Sequence, residues 1–317
     1  MFCKSWLLVS LFILLNFLVL YFIATTLERR KWQKVAKQKG DQHVAYPQSY
    51  TFILDQPEKC EQQKPFVVVI VPVAPENFKA RKIIRMTWGS EELIQDGVVV
   101  VLFLLGSQIG NTTLQEQLQN ESQQYQDLLQ SNFQDSYRNL TIKTMVMMEW
   151  LSRKCQQASY AVKVDADVLL NVNNLIKMLV NLKTPQHNYI TGFVLYGSNV
   201  IRDPSSKFYV PHDVYARSRY PPYPQGMCYI FSVDMPEKIL QVSRLISPIF
   251  IEDAYLGICL RHLGINPKRP PNIEQFVVKP QPQVNHCYFS GLIAILTDNL
   301  TQLNSYWMDI HSSTKPC

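Results

Sequence analysis

Two uninterrupted apolar runs, residues 66–71 (FVVVIV) and 98–105 (VVVVLFLL), constrain this chain more than any other feature. Runs this rich in β-branched residues, with no polar break, suit strands covered on both faces rather than strands with one face in water. Between them, residues 77–88 are mixed and basic, a candidate crossover helix. Residues 114–129 and 140–155 have helical character, and residues 160–164 read as another short strand. Strands alternating with helices predict an α/β fold with a parallel sheet. After Asn188 the pattern turns strand- and loop-rich, with a Tyr220-Pro-Pro-Tyr-Pro segment. A late helix starts at Glu252-Asp253. Its Leu256, Leu260 and Leu263 share one face, and Gly264 sits where a C-terminal cap belongs. There is no internal repeat and no Gly-rich phosphate loop.

The 317 residues are 47% hydrophobic and 18% charged, which suits a packed core and excludes a disordered chain. The net charge of +6 lies wholly in residues 1–40, where Lys4, Arg29, Arg30, Lys31, Lys34, Lys37 and Lys39 face only Glu28. Residues 41–317 are neutral in sum, so no nucleic-acid partner is expected. Residues 7–23 are interrupted only by Ser10 and Asn16. With their flanks they would span roughly 28 Å as a helix, close to a bilayer core. No small-residue cleavage site follows, so an uncleaved anchor is expected rather than a signal peptide.

Six Lys/Arg after the span would, by the positive-inside rule, place the C-terminal side in the cytosol. Four glycosylation sequons oppose this: Asn111-Thr-Thr, Asn120-Glu-Ser, Asn139-Leu-Thr and Asn299-Leu-Thr favour a secretory lumen. Cys60, Cys155, Cys228, Cys259, Cys287 and Cys317 show no CxxC or zinc spacing, which favours disulfides over a metal cluster. The expected organisation is a cytosolic tail over 1–6, a membrane anchor over 7–23, a Lys/Gln-rich stem over 24–64 and one lumenal domain over 65–317.

Three constellations carry candidate chemistry. Asp165-Ala-Asp167 ends an apolar strand, where ligands of α/β sheets bind, and paired carboxylates suit Mn²⁺ or Mg²⁺ beneath a diphosphate. A solvated turn holding two acids would read the same. Asp253, beside Glu252 at the start of the late helix, is a candidate general base, or the pair simply caps that helix. Arg81 and Arg85 share one helix face and could meet a phosphate, or merely be solvated.

These segments resemble a known family. RKIIRMTWG, VLFLLG, YQDLLQSNFQDSYRNLTIKT, YAVKVDADVLLNVNNL, RYPPYPQGMCYIFS and IFIEDAYLGICLRHLGINP stand in the order and spacing of the β-1,3-galactosyltransferases, glycosyltransferase family 31. That family also contains β-1,3-N-acetylglucosaminyltransferases. The resemblance covers roughly residues 60–317. It implies a GT-A type nucleotide-sugar-binding fold and a single-pass type II Golgi membrane protein. It also implies inverting, Mn²⁺-assisted transfer from UDP-galactose to the 3-hydroxyl of a glycan on a glycoprotein or glycolipid.

Carried over by position, Asp165 and Asp167 hold metal and nucleotide, with Asp167 the direct ligand. Asp253 is the base, and Arg81, Arg85 and Lys143 lie near the nucleotide. Trp88 packs beneath the donor site, and Asn139 is the foremost glycosylation site. There are departures. Ala166 fills the middle of the acidic triplet, and Cys228 stands where a glycine is usual. Leu296 falls where relatives carry a metal-binding His, and His286, ten residues earlier, reads as an ordinary loop residue. UDP-N-acetylglucosamine as donor, or a weakly active or non-catalytic relative lacking that His, are the alternatives.

Overall fold

The structure is a computed structural model that describes residue 16 and residues 18–27, 44–90, 99–279 and 286–312. The apolar runs form adjacent parallel strands, β2 (Val67–Pro72) and β3 (Val99–Ser107), after β1 (Phe52–Leu54) and helix α1 (Lys59–Gln63). Helix α2 (Phe78–Met86) links them, its first turn capped by Asn77 Oδ1, which accepts from Ala80 N at 3.2 Å. Such a cap is worth about 1 kcal/mol. Helix α3 (Thr112–Tyr125) leads to β4 (Leu128–Gln134), and α4 (Leu140–Lys154) leads to β5 (Tyr160–Val164). The helical reading over 114–129 thus runs too far. Gln126 ends α3 in the left-handed conformation, and Leu128-Leu129 belongs to a buried strand.

Next come β6 (Val168–Leu170), α5 (Val172–Leu179), β7 (Ile190–Leu195), β8 (Tyr223–Ser232), α6 (Met235–Ser243) and α7 (Glu252–His262). The described chain closes with β9 (Phe276–Val277), α8 (His286–Gly291), β10 (Ala294–Leu296) and α9 (Leu300–Ser312). The main sheet runs β1-β4-β3-β2-β5-β8-β7, and a small sheet runs β6-β10-β9. Strands β4, β3, β2 and β5 are parallel, whereas β1, β8 and β7 pair antiparallel. Both faces of β2 are buried: Val68 and Ile70 join one core cluster, and Val67, Val69 and Val71 the other. That is why its sequence shows no alternation.

The chain moves outward from β2 through β3 to β4, then returns to place β5 on the other side of β2. Crevices at such a reversal, beyond the carboxyl ends of the strands, are where open α/β sheets bind ligands. Here that end carries Val73-Ala74 and Asp165.

The stem is shorter than its sequence suggested. Strand β1 pairs with β4, Val44 is buried, and Cys60 is bonded to Cys155 across 95 residues, so residues 44–64 belong to the folded unit. A link closing so long a loop stabilises by about 2–4 kcal/mol, chiefly by restricting the unfolded chain. Cys287 is also disulfide-bonded, as the preference for disulfides over a metal cluster expects, whereas Cys228 and Cys259 are buried thiols. Of the expected anchor over 7–23, residues 16 and 18–23 are described and are helical and exposed, and the helix runs on to residue 27. No helix among the described residues is long and apolar enough to cross a membrane.

Candidate active site

A cleft of about 310 Å³ opens at the sheet reversal, lined by Pro72, Val73, Ala74, Asn77, the Asp165-Ala166-Asp167 turn, Asn299 and Leu300. Its acidic floor is fixed by backbone. Asp165 N donates to Met227 O at 2.9 Å and Asp165 O accepts from Val168 N at 3.1 Å. Thr297 binds Asp167 O twice, through its N–H at 2.8 Å and its hydroxyl at 2.7 Å. The Asp167 carboxyl is raised above the usual range by burial and then by the charge of Asp165.

Lys163 ties this floor to the late helix. Residues two apart on a strand share a face, and Lys163 Nζ lies 2.6 Å from Asp165 Oδ1 while also donating to Gly226 O. Gly226 N in turn donates to Asp253 Oδ2 at 3.0 Å, and Ala254 N donates to Asp253 Oδ1 at 2.8 Å. Only glycine fits easily at 226: a Cβ there would sit 3.2 Å from Glu252 Oε2 and 3.5 Å from Asp253 Oδ2. The structure therefore brings Asp165, Lys163 and Asp253 into one chain of contacts.

Burial pulls Lys163 down, but the charges of Asp165, Glu252 and Asp253 more than reverse this and hold it protonated. Asp253 is raised by burial against the lowering pull of its two N–H donors. Glu252 is more deeply buried, accepting from Thr144 Oγ1 at 3.0 Å and Tyr229 OH at 2.7 Å. Burial pushes its carboxyl to about 7. Asp253, only half-buried, remains the accessible acid of the pair.

The three cations expected near a nucleotide stand one layer back. Arg81 is fully buried and grips Glu121 with Nε at 2.8 Å and Nη2 at 2.6 Å, while Nη1 donates to Ala74 O at 3.1 Å. Arg85 holds Asp127 at 2.7 and 2.8 Å and Glu121 at 2.8 Å, its guanidinium over the rings of Phe103 and Tyr125. Lys143 pairs with Asp135 at 2.6 Å and donates to Val73 O at 3.0 Å. Burial holds its ammonium below the usual range despite that partner. Arg81 and Lys143 thus brace the Val73-Ala74 backbone that lines the cleft, and Trp88 is buried in the core.

Asn111 caps α3 and is exposed, as is Asn120 on the same helix. Asn139 is half-buried, with Nδ2 donating to Gln134 O at 2.8 Å. Asn299 caps α9 through Gln302 N and stands on the cleft rim. Burial pushes the Cys228 thiol up to about 12, leaving a protonated packing group on β8. The side chain of His286 lies outside the described residues. Sequence reading missed Lys163, whose place two residues before Asp165 on one strand face was the available signal. It also gave no role to Gly226 or Thr297, which act through backbone pairing that no motif displays.

A divalent cation fits the donor set: two hard carboxylates at a cleft mouth, with surplus negative charge. The described residues offer no group of three His, Cys, Asp or Glu to hold such an ion, so diphosphate oxygens and water would complete its shell. Leu296 is half-buried and pairs with Val168, the residue after Asp167. Position 296, where the resemblance implies a metal-binding His, is thus beside the acid pair, and leucine offers no lone pair.

The α/β fold and the acid-lined cleft fit a glycosyltransferase, and comparison with known proteins gives that class. Residues 79–271 match the family model described as Galactosyltransferase. Beta-1,3-galactosyltransferase 2 of Mus musculus is 39% identical over 278 residues, covering 86% of this chain and 65% of that protein. Beta-1,3-galactosyltransferase 1 of Mus musculus is 36% identical over 267 residues, covering 84% of this chain and 80% of that one. The chain belongs to the β-1,3-galactosyltransferase family, glycosyltransferase family 31; it spans about 65% of the length of the first of these relatives. Among solved structures, the mannosyltransferase PcManGT from Pyrobaculum calidifontis, in complex with GDP-Man and Mn²⁺, aligns over 82% of this chain and 66% of that chain. Its TM-score of 0.38 at 14% identity is too loose a likeness to build on.

Proposed function

We propose that this protein transfers galactose from UDP-galactose to the 3-hydroxyl of a glycan acceptor with inversion, forming a β1→3 bond. The GT-A type domain would face the Golgi lumen behind a type II anchor over residues 7–23. One observation carries the reading: a metal-type acid pair and a half-buried carboxylate at a helix start are linked through Lys163 and Gly226 beside a cleft.

Asp253 takes the proton from the acceptor hydroxyl, whose oxygen bonds to C1 of the sugar. The C1–O bond to UDP breaks and the electron pair leaves with the diphosphate. The two backbone donors, Gly226 N and Ala254 N, hold the carboxylate plane in place, and burial keeps its basicity above that of a solvated aspartate. Asp165 and Asp167 would hold a Mn²⁺ that neutralises the leaving diphosphate. Arg81 and Lys143 contribute by bracing the cleft wall, and Arg85 by sharing Glu121 with Arg81. Asn139 is the proposed principal glycosylation site, with Asn111, Asn120 and Asn299 as further acceptors.

The test is turnover of UDP-galactose and UDP-N-acetylglucosamine by the full-length protein, with and without Mn²⁺, beside calorimetric titration with UDP. Mn²⁺-dependent turnover that disappears in Asp167→Ala supports the reading, and the donor comparison identifies the sugar. A second reading is favoured by Leu296 beside the acid pair: a weakly active or non-catalytic relative. Absence of UDP binding at millimolar ligand would select it.

A further inference from the structure

A tyrosine ladder leads away from Asp253. Helix α7 packs so closely on the 222–223 segment that a Cβ at Gly257, one turn beyond Asp253, would lie 2.7 Å from Tyr223 Cβ. Tyr223 meets Tyr220 edge-on at 6.2 Å between ring centres, and Tyr220 stacks on Tyr215 at 5.3 Å. The Tyr220 hydroxyl is buried without a partner. Asp253's charge adds to the burial that raises both Tyr220 and Tyr223.

Around the outer rung the charge changes sign. Arg202 donates to three carbonyls, Val210 O at 2.5 Å, Tyr215 O at 2.7 Å and Arg217 O at 2.7 Å, so its guanidinium orders the loop without meeting a carboxylate. The charges of Arg261, Arg217 and Arg202 all reach Tyr215. Arg269 lies over Tyr196 at 5.0 Å, and Asn199 pairs with Arg219 in a backbone bridge beside it. Arg217, Arg219, Arg261 and Arg269 are exposed, and none of these five arginines forms an ion pair among the described residues. Within the loop, Asp203 and Asp213 are the only acids, and Asp203 turns to Ser205. Residues 41–317 are neutral in sum, so this is segregated charge rather than a general bias.

Resting on the transferase reading, we infer that the acceptor is an acidic glycan, its anionic group held by the exposed arginine rim around the half-buried Tyr215 while its sugar rings reach towards Asp253 over the loop that the buried Tyr220 and Tyr223 support. A carboxylate or a sulfate ester would serve the same chemistry, because a guanidinium fork accepts either.

The test titrates full-length protein in detergent with three oligosaccharides that share a terminal free 3-hydroxyl. One is neutral, one carries a carboxylate on the next residue, and one carries a sulfate ester there. With two or three rim contacts of modest strength, at least one acidic form should bind about tenfold more tightly at low salt. The margin should shrink to about twofold at roughly 0.5 M NaCl, where screening acts within a few ångströms. The stronger arm identifies the group. In Arg217→Gln with Arg219→Gln the preference should fall to about twofold or less. Equal binding of all three glycans, no binding of any at millimolar concentration, or a preference that survives both substitutions overturns the inference. Acidic preference without turnover of any UDP-sugar would sink the transferase reading and leave the rim; turnover without preference would do the reverse.

Discussion

The two sides of the cleft keep different charge balances. Behind the Val73-Ala74 wall, three cations (Arg81, Arg85 and Lys143) meet three carboxylates (Glu121, Asp127 and Asp135), each contact made inside the protein. On the other side, four carboxylates (Asp165, Asp167, Glu252 and Asp253) have Lys163 as the one cation that forms an ion pair with any of them among the described residues. The balanced side is explained by folding, since buried charges persist when paired and hydrogen-bonded. The surplus side is not: burial first, and then the charge of a neighbouring carboxylate, pushes Asp167, Glu252 and Asp253 above their ordinary range. Charge left unbalanced in a cleft points to a ligand that supplies the missing sign.

The largest expected effect lies on the surplus side. Asp253→Asn keeps the shape and removes the base, so turnover should fall about 10³–10⁴-fold, with UDP binding unchanged by calorimetry. An activity loss below tenfold would make Asp253 a helix cap only. The balanced side should answer in stability instead. Arg81→Ala strips Glu121 of its bidentate partner, though Arg85 still reaches it, and should cost about 3 kcal/mol in urea denaturation. Adding Glu121→Ala should recover part of that loss. If Arg81→Ala instead lowers UDP affinity with stability intact, the guanidinium meets the nucleotide directly and the contrast between the two sides fails.

What could be read in advance follows the same division. The apolar runs of β2 and β3, the strand ending at Val164 and the helix opening at Glu252 were legible because each shows in local pattern. Asp165 and Asp167 stood out as acids at the end of an apolar strand, which strand propensity disfavours, whereas Asp253 was legible only as one of two acids at a helix start, where a cap reads the same. The sequence offered a phosphate or solvent as the partner of Arg81 and Arg85, because their actual partners, Glu121 and Asp127, lie 40 and 42 residues away. No spacing rule reaches that far. Strand β4 was lost for a related reason: Leu128-Leu129 continues the periodicity of α3, and only pairing with β3 turns it into sheet. Strand β1 was hidden in a polar segment, since two of its three residues are only half-buried and the third is exposed at the sheet edge.

Glu252 gives a middle-sized effect with a definite sign. Its carboxyl sits at about 7 against an ordinary 4.5, so between those values the native protein holds a proton that the unfolded chain has released. The contribution is therefore full below about pH 4.5, declines as pH rises towards 7 and stays lost above it. At about 1.4 kcal/mol per pH unit, the decline is at most roughly 3–4 kcal/mol. Glu252→Gln should flatten that slope and make the variant the more stable protein at about pH 8 in urea denaturation. A wild-type stability that climbs through this window would assign the raised proton affinity elsewhere.

Leu296→His sets the smallest effect and the sharpest question about the surplus charge. Leu296 pairs with Val168 in β10, and the next residue, Thr297, already holds Asp167 O through two hydrogen bonds, so an imidazole would stand beside the acid pair. If the surplus side exists to hold a divalent ion, an added nitrogen donor should raise Mn²⁺ affinity in the presence of UDP about tenfold, read by electron paramagnetic resonance of free Mn²⁺. Mg²⁺, which prefers oxygen ligands, should gain much less, and that difference separates ligation from a general change in the pocket. Equal gains for both ions would mean that the substitution acts through packing. No gain for either would place position 296 outside the ion's shell and leave the carboxylates, with the diphosphate, as its whole protein-side grip.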